Sequence, residues 1–168
     1  MPSSIRSLSQ LAGAALLCVL AACSTTRPEP DPAWRSADLT APSRVILWDM
    51  TLAALDRGGY PPGAKIDPDA MEAESGWLTE LQPFSGEGIR RKAVVRLRPL
   101  GSGEWGVDVR VKQQRNMSLV RPTDPEYAEW EWTGDDTESA GLLLAWIRGA
   151  VDPRFEASTG AGDEPEED

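Results

Sequence analysis

The 168-residue chain has 27 acidic and 17 basic residues, no histidine, and two cysteines, Cys18 and Cys23. Without histidine it cannot form a Ser-His-Asp or Cys-His catalytic unit, or a zinc site with the usual imidazole ligands. An enzyme built on this chain would have to use carboxylates, Lys, Tyr, Ser or Thr.

The first 23 residues are typical of an exported protein. A charged start containing Arg6 precedes an apolar stretch from Leu11 to Leu20, which is too short to span ~30 Å of hydrocarbon. The stretch ends in the letters LAAC, at positions 20–23. This ending resembles the lipobox of bacterial lipoproteins at every position. The resemblance implies that residues 1–22 are a signal peptide, that cleavage falls between Ala22 and Cys23, and that Cys23 is diacylated, for example with palmitate.

The predicted mature chain begins with a tether and ends with a tail. Residues 23–42 contain the lipidated Cys23 and four prolines without apolar periodicity, and are predicted to form a disordered linker. Residues 156–168 carry six carboxylates and no base, and are predicted to be a disordered acidic tail. The residue after the lipidated position is Ser24, and in this respect the chain resembles lipoproteins that are sent to the outer membrane. We therefore expect a lipid-anchored envelope protein, facing the periplasm from the outer membrane.

Between these segments, residues 43–155 are predicted to form one domain. Their 18 acidic and 14 basic residues give a net charge of −4, so we expect no nucleic acid as a partner. The first helix is predicted over 44–57, with Ser43 as N-cap and Gly58-Gly59 as its end. Its apolar stripe is predicted at the spacing of three and four residues, on Val45, Trp48, Leu52 and Leu55.

Three segments that alternate apolar and polar residues follow the helix. They predict strands with one buried face each, linked by turns rich in Gly, Pro and Ser. The rows predicted to be buried are Ala73, Ser75, Trp77, Thr79 and Leu81; Arg91, Ala93, Val95 and Leu97; and Trp105, Val107, Val109 and Val111. In the predicted register Trp77 lies opposite Ala93.

A fourth short strand is predicted over 128–132, with Trp130 and Trp132 facing inward, and a second helix over 136–148. The helix is predicted to begin with a capping arrangement of Asp135 and Glu138. The fold class is therefore α+β: a two-layer sandwich in which an antiparallel meander of three to four strands carries an N-terminal and a C-terminal helix on one face.

The basic run Arg90, Arg91, Lys92, Arg96 and Arg98 is interpreted as part of a cross-strand ion-pair lattice. The predicted register places Glu80 opposite Arg90, Glu74 opposite Arg96, and Arg98 between Glu72 and Glu104. An anion-binding patch is the alternative.

Three other groups of residues are candidate sites. Glu129 and Glu131, separated by Trp130, have a spacing near that of inverting glycosidases, but carboxylates on one strand face project in parallel. Asp67, Asp69 and Glu72 offer oxygen ligands without a calcium-loop pattern, and a polar turn is expected there. A groove lined by tryptophans is the third candidate, with Trp77, Trp105 and Trp146 as ligand-binding residues. No metal and no cofactor are expected.

The order of lipobox, linker, a helix ending in RGGY, GWLTE and a closing helix weakly resembles one family. This family is the helix-grip domains of the C lipoprotein of the outer-membrane β-barrel assembly complex. The matching positions are Trp48, Leu52, Leu55, Gly59, Tyr60, Gly76 and Trp77. The resemblance implies a role in outer-membrane assembly.

Three functions follow in order of preference. The first is a non-catalytic interaction or structural module in outer-membrane or cell-wall organisation, held to the bilayer through Cys23 and binding an envelope protein. The second is a module that binds a small apolar or glycan ligand in the Trp-lined groove. The third is a hydrolase that uses Glu129 and Glu131.

Overall fold

The computed structural model describes residue 29 and residues 31–63, 65–82, 87–121 and 123–151. The predicted signal peptide, Ala22, Cys23 and the acidic tail lie outside the described residues.

A long antiparallel hairpin forms the centre of the sheet. Strand β5 (Glu87–Gly101) pairs with β6 (Glu104–Asn116), and Val95 lies opposite Val109. The hairpin turns at Gly101, Ser102 and Gly103, which all have positive φ, a conformation that glycine adopts without a steric penalty. Alternate residues of both strands point to one side and are almost fully buried, as the sequence predicts: Ala93, Val95, Leu97, Val107, Val109 and Val111.

Shorter strands extend this hairpin on both sides into a seven-stranded antiparallel sheet. Along β6 lie β1 (Arg35–Thr40) and β7 (Trp130–Asp135). Along β5 lie β3 (Glu72–Glu74) and β4 (Leu78–Gln82), and β2 (Lys65–Asp67) pairs with β3.

Two helices complete the fold. The C-terminal helix packs against β6 and β1 on the apolar side of the sheet, and the N-terminal helix packs against the C-terminal helix and contributes to the same core. Helix α1 (Arg44–Arg57) begins as predicted, with the Ser43 hydroxyl accepting the N–H of Ile46. Helix α2 (Thr137–Val151) buries Leu143 and Ile147 between the sheet and α1. The predicted α+β class, with two helices on one face of an antiparallel sheet, is confirmed. The sheet has seven strands instead of the predicted three to four, and β1 precedes α1 in the chain. No helix among the described residues has the length and apolarity needed to cross a bilayer.

The predicted linker is wrong for its last part. Arg35–Thr40 is strand β1, paired along its whole length with β6, and Leu39 is 4% exposed. Its polar residues face solvent on an edge strand, so the segment has too few apolar side chains to be distinguished from a linker. The folded domain therefore begins before Ser43.

The predicted strand over 73–81 changes phase in its middle. Ala73 pairs with Val95, but Leu78 pairs with Arg91, so one extra residue lies between β3 and β4 on this side of the hairpin. Ser75 takes up the break, because its hydroxyl accepts the N–H of Ala93 where a regular ladder would use backbone. Trp77 consequently lies on the opposite side of the sheet from Ala73, and the prediction that it faces Ala93 is wrong.

The predicted apolar stripe of α1 is displaced. Leu47, Thr51, Ala54 and Leu55 are buried, whereas Val45 is 66% exposed. Trp48 and Leu52 pack at the edge of the core.

The start of α2 also differs from the prediction. Asp136, rather than Asp135, caps the helix by accepting the N–H of Ser139. Trp130 and Trp132 in β7 face away from the helices, in register with Asn116 and Gln114. The prediction that these two indoles face inward is therefore wrong.

Candidate functional site

The side of the sheet that the helices leave uncovered carries a row of charged side chains along its two central strands. We call this side the outer face. Because side chains alternate along a strand, the residues beside the buried row of the central hairpin point to the outer face. They include Arg90, Lys92, Arg96, Arg98, Asp108, Arg110, Lys112 and Gln114.

Most of these cations have a carboxylate partner on a neighbouring strand. The nitrogen–oxygen distances are 2.9 Å for Lys92–Glu74, 3.2 Å for Arg96–Glu72, 2.8 Å for Arg98–Asp108 and 2.7 Å for Arg110–Asp135. The predicted cross-strand lattice is therefore present, although its partners differ from the predicted ones. Glu80 shows the difference, since it pairs with Arg91 at 2.8 Å instead of lying opposite Arg90.

The N-terminal arm, residues 29 and 31–34, covers the middle of the outer face. The N–H of Ala33 donates to Asp135 at 2.6 Å, and the Trp34 ring centre is 4.6 Å from the guanidinium carbon of Arg96. The Glu29 carboxylate is 2.9 Å from Arg110 and 3.2 Å from Lys112. This part of the outer face is already occupied by the chain itself.

Beyond the arm, three indoles and two cations form a cluster, which we call the aromatic–cationic cluster: Trp77, Trp130, Trp132, Arg90 and Lys92. The guanidinium carbon of Arg90 is 4.4 Å from the ring centre of Trp77 and 4.6 Å from that of Trp130. Lys92 stands 5.0 Å from the Trp77 ring, and Trp132 lies 5.9 Å from Trp77 with the rings tilted by 50°. All five side chains are partly buried.

Arg90 differs from its neighbours because no carboxylate of the described residues pairs with it. Its Nε donates to Oε1 of Gln114 at 2.7 Å, a neutral partner. Burial among the indoles lowers the pKa of Arg90, but a guanidinium keeps its proton at any physiological pH. The cluster therefore presents a partly desolvated positive charge between two aromatic rings, without an anion to balance it in the described part of the chain.

The structure does not bring the three predicted groove residues together. Trp105 and Trp146 pack against the core on the helix side of the sheet, and Arg57 stands 4.8 Å over the Trp146 ring. Trp77 lies on the outer face. The sequence pattern predicts Trp130 and Trp132 in the core and does not show that Arg90 shares a face with them. For Trp77, the break at Ser75 hides the same relation.

The other candidate sites are accounted for by local contacts. Glu129 and Glu131 are exposed and alternate with the indoles, so the carboxylates and the tryptophans point to opposite sides of β7. The carboxylate of Asp67 accepts the N–H groups of Asp69 and Ala70 at 3.0 and 2.8 Å, which closes the polar turn.

Two shallow clefts flank α1. One, of about 200 Å³, lies at the C-terminal end of the helix and is lined by Leu52, Leu55, Tyr60, Pro61, Pro62 and Ile66. The other, of about 240 Å³, lies at its N-terminal end beside Arg44, Trp48 and Met71. Neither is lined by Trp77, Trp105 or Trp146. No grouping of three or more potential metal ligands occurs within the described ranges.

No family model matches the chain, and a search of curated proteins finds no similar one.

Proposed function

We propose that the chain is a lipid-anchored envelope lipoprotein that acts as a non-catalytic interaction module in outer-membrane or cell-wall organisation. The anchor is acylated Cys23, as the LAAC sequence implies. The surface that binds an envelope protein is the aromatic–cationic cluster. The observation that carries this proposal is Arg90, a partly buried cation between Trp77 and Trp130 with a neutral hydrogen-bond partner.

Tryptophan and arginine are the residue types that most often dominate the binding energy of protein interfaces. In the cluster they lie side by side on an open sheet face, beside charges that are already paired. A carboxylate from a partner would gain a charge-assisted hydrogen bond to Arg90 in a partly desolvated setting, where such bonds are stronger than in water. The ligand class that the cluster fits best is therefore an acidic segment of another protein.

A glycan fits the same surface less well. Sugars stack on bare indole faces, but Arg90 and Lys92 stand over the Trp77 ring and Arg90 stands over the Trp130 ring. The two clefts beside α1, of about 200 and 240 Å³, are below the usual range of about 300–1,000 Å³ for ligand pockets, so neither of them supports the binding of a small apolar ligand at α1.

A binding role also suits the chemistry that the chain offers. It has no histidine for general acid–base work, and Glu129 and Glu131 project away from the tryptophans that would hold a substrate. A binding protein needs a stable surface and a fixed position, which the ion-paired sheet and the proposed anchor would supply.

The test is crosslinking in cells followed by capture of the lipidated protein. Arg90→Gln should abolish the crosslinks to an envelope protein. The matched control is Arg98→Gln, which removes a cation from the same strand face where Asp108 already balances it. Equal crosslinking by the native protein and Arg90→Gln would contradict the proposal. A variant that loses only the binding of wall glycan, with its protein crosslinks unchanged, would contradict it as well.

The anchor is tested separately in the same cells. Labelled palmitate should mark the native protein and leave Cys23→Ser unmarked. A density separation of the two membranes should recover the marked protein with the outer membrane. Palmitate that remains on Cys23→Ser would show that the lipid is attached elsewhere.

A further inference from the structure

The connection between β6 and β7 presents apolar side chains to solvent. Leu119 is 95% exposed, Val120 is 86% exposed and Met117 is 46% exposed. We call residues 117–120 the apolar tip. Tyr127, which is 50% exposed, belongs to the same connection. Large aliphatic side chains so fully in water are unfavourable unless something covers them.

The base of the tip is firmly held. The side-chain oxygen of Asn116 accepts the N–H of Ser118 and the N–H of Glu129, both at 3.0 Å, and the N–H of Met117 donates to the carbonyl of Glu129 at 2.8 Å. These bonds close the connection where β6 ends and β7 begins. Leu119 and Val120 therefore project from a fixed base.

Two of the residues that follow the tip, Arg121 and Tyr127, are of types found at membrane–water interfaces. Arg121 is exposed and its guanidinium carbon is 4.4 Å from the ring centre of Tyr127. Residues 117–120 themselves carry no charge. An uncharged aliphatic apex followed by an arginine and a tyrosine suits insertion of the apex among acyl chains, with the polar ends at the headgroups.

The length of chain before the arm places a bilayer within reach of the tip. Glu29, bound to Arg110 and Lys112, is only six residues after Cys23, which limits its distance from that cysteine to about 20 Å. Asn116, where the tip begins, is four residues beyond Lys112 on the same strand, or about 13 Å at the usual rise. The site of acylation and the apolar tip can thus touch one surface together.

We infer that the apolar tip is a second membrane contact, which inserts Leu119 and Val120 into the bilayer that holds acylated Cys23. This inference rests on the proposed anchor and names the occupant of the tip as lipid. It orients the domain on the membrane, so that the outer face has a fixed relation to the bilayer. A protein partner or a second copy at the tip are the competing occupants.

The test uses one introduced cysteine as the only free thiol of the predicted mature chain. Cys18 leaves with the predicted signal and Cys23 is acylated, so Leu119→Cys supplies the one free thiol for a fluorescent nitrobenzoxadiazole label. The labelled, lipidated protein is reconstituted in phosphatidylcholine vesicles that contain nitroxide-labelled acyl chains. The control is Leu142→Cys, an exposed leucine on α2.

Several-fold stronger quenching of the label at position 119 than at position 142 is expected. Equal quenching at both positions, or no quenching at position 119 in a protein that carries palmitate, would contradict the membrane contact of the apolar tip. The proposed anchor would be unaffected by either result. A label that shifts to the blue with protein concentration, without nitroxide quenching, would show that protein covers the tip, and would also overturn the inference.

If palmitate is absent, the proposed anchor fails and Cys23 is itself a free thiol. Leu119→Cys and Leu142→Cys are then labelled in a protein that also carries Cys18→Ser and Cys23→Ser, and this protein is mixed with preformed vesicles. Quenching at position 119 would then still support a lipid contact at the tip. Absence of quenching at position 119 would contradict the membrane contact of the tip as well. The failure of the anchor and the failure of the tip contact are therefore distinguishable.

Discussion

Arg110 and Asp135 form a two-point ion pair between β6 and β7, with 2.7 Å from Nε to Oδ2 and 3.1 Å from Nη2 to Oδ1. Their side chains are 7% and 1% exposed. The same Oδ2 accepts the N–H of Ala33, so the pair joins the N-terminal arm to both strands. Three parts of the outer face meet at one carboxylate.

Removal of the Asp135 carboxylate should strongly destabilise the fold. Asp135→Ala leaves buried Arg110 with the 38% exposed Glu29 as its remaining carboxylate partner among the described residues, and we expect it to lower the free energy of unfolding by about 3 kcal/mol. Urea unfolding followed by circular dichroism measures the loss. Asp108→Ala is the control, because its partner Arg98 is 57% exposed and solvent screens that pair. Losses of similar size for the two variants would contradict the structural role of Asp135.

The place of β1 in the domain gives a second prediction. Leu39→Ala removes a buried side chain from β1 and should lower the free energy of unfolding by about 2 kcal/mol. Val45→Ala, on the exposed side of α1, should change it very little. If residues 23–42 were a linker and Val45 part of the apolar stripe, the two urea-unfolding results would be reversed.

The parts of the fold that depend on local signals could be predicted from the sequence. Ser43 and the Gly58-Gly59 pair define α1 through capping and chain termination, and the alternation in β5 and β6 continues without a break. Both signals act between residues close in sequence. For this reason α1 and the buried row of the central hairpin were placed correctly.

The candidate site depends on contacts that the sequence does not display. The apolar character of Trp130 and Trp132 predicts that they lie in the core, yet an indole can also be covered by a cation on an outer face. The phase change between β3 and β4 brings Trp77 beside Arg90, and it depends on one hydroxyl, that of Ser75, replacing a backbone acceptor. No pattern within either strand predicts such a replacement.

Thr51 gives a prediction about a polar group in the core. It is fully buried, and its hydroxyl donates to the carbonyl of Leu47 at 2.8 Å. That carbonyl also accepts the helical N–H four residues later, so loss of the hydroxyl leaves no orphaned acceptor. Thr51→Val, of nearly the same shape, should alter the free energy of unfolding by less than about 0.5 kcal/mol.

The matched variant for Thr51 is Thr51→Ala, which removes the methyl group as well and leaves a cavity. It should destabilise the protein by about 1–2 kcal/mol in the same urea-unfolding measurement. A loss for Thr51→Val as large as for Thr51→Ala would mean that the hydroxyl, rather than the packing, stabilises this part of α1.

The start of α2 should make the protein sensitive to acid. Burial by itself raises the pKa of Asp136, but hydrogen bonds from Ser139 and the charge of Arg91, 2.8 Å away, outweigh burial and hold that pKa below its ordinary value of 3.8. Because the folded-state pKa is the lower one, the stabilisation is complete above the ordinary value and disappears as pH falls through the folded value.

Asp136→Asn tests this acid sensitivity, since an asparagine can still cap the helix but carries no charge for Arg91. We expect it to lower the free energy of unfolding by about 1 kcal/mol at neutral pH. The difference from the native protein should shrink as pH falls below the ordinary value of 3.8 and disappear as pH falls through the lower folded-state pKa, because the native carboxylate is then protonated as well. Urea unfolding at a series of pH values measures both effects. If the difference in free energy of unfolding stayed constant down to the lowest pH, the loss would come from packing of the amide. The charge of the Asp136 carboxylate would then not be its cause.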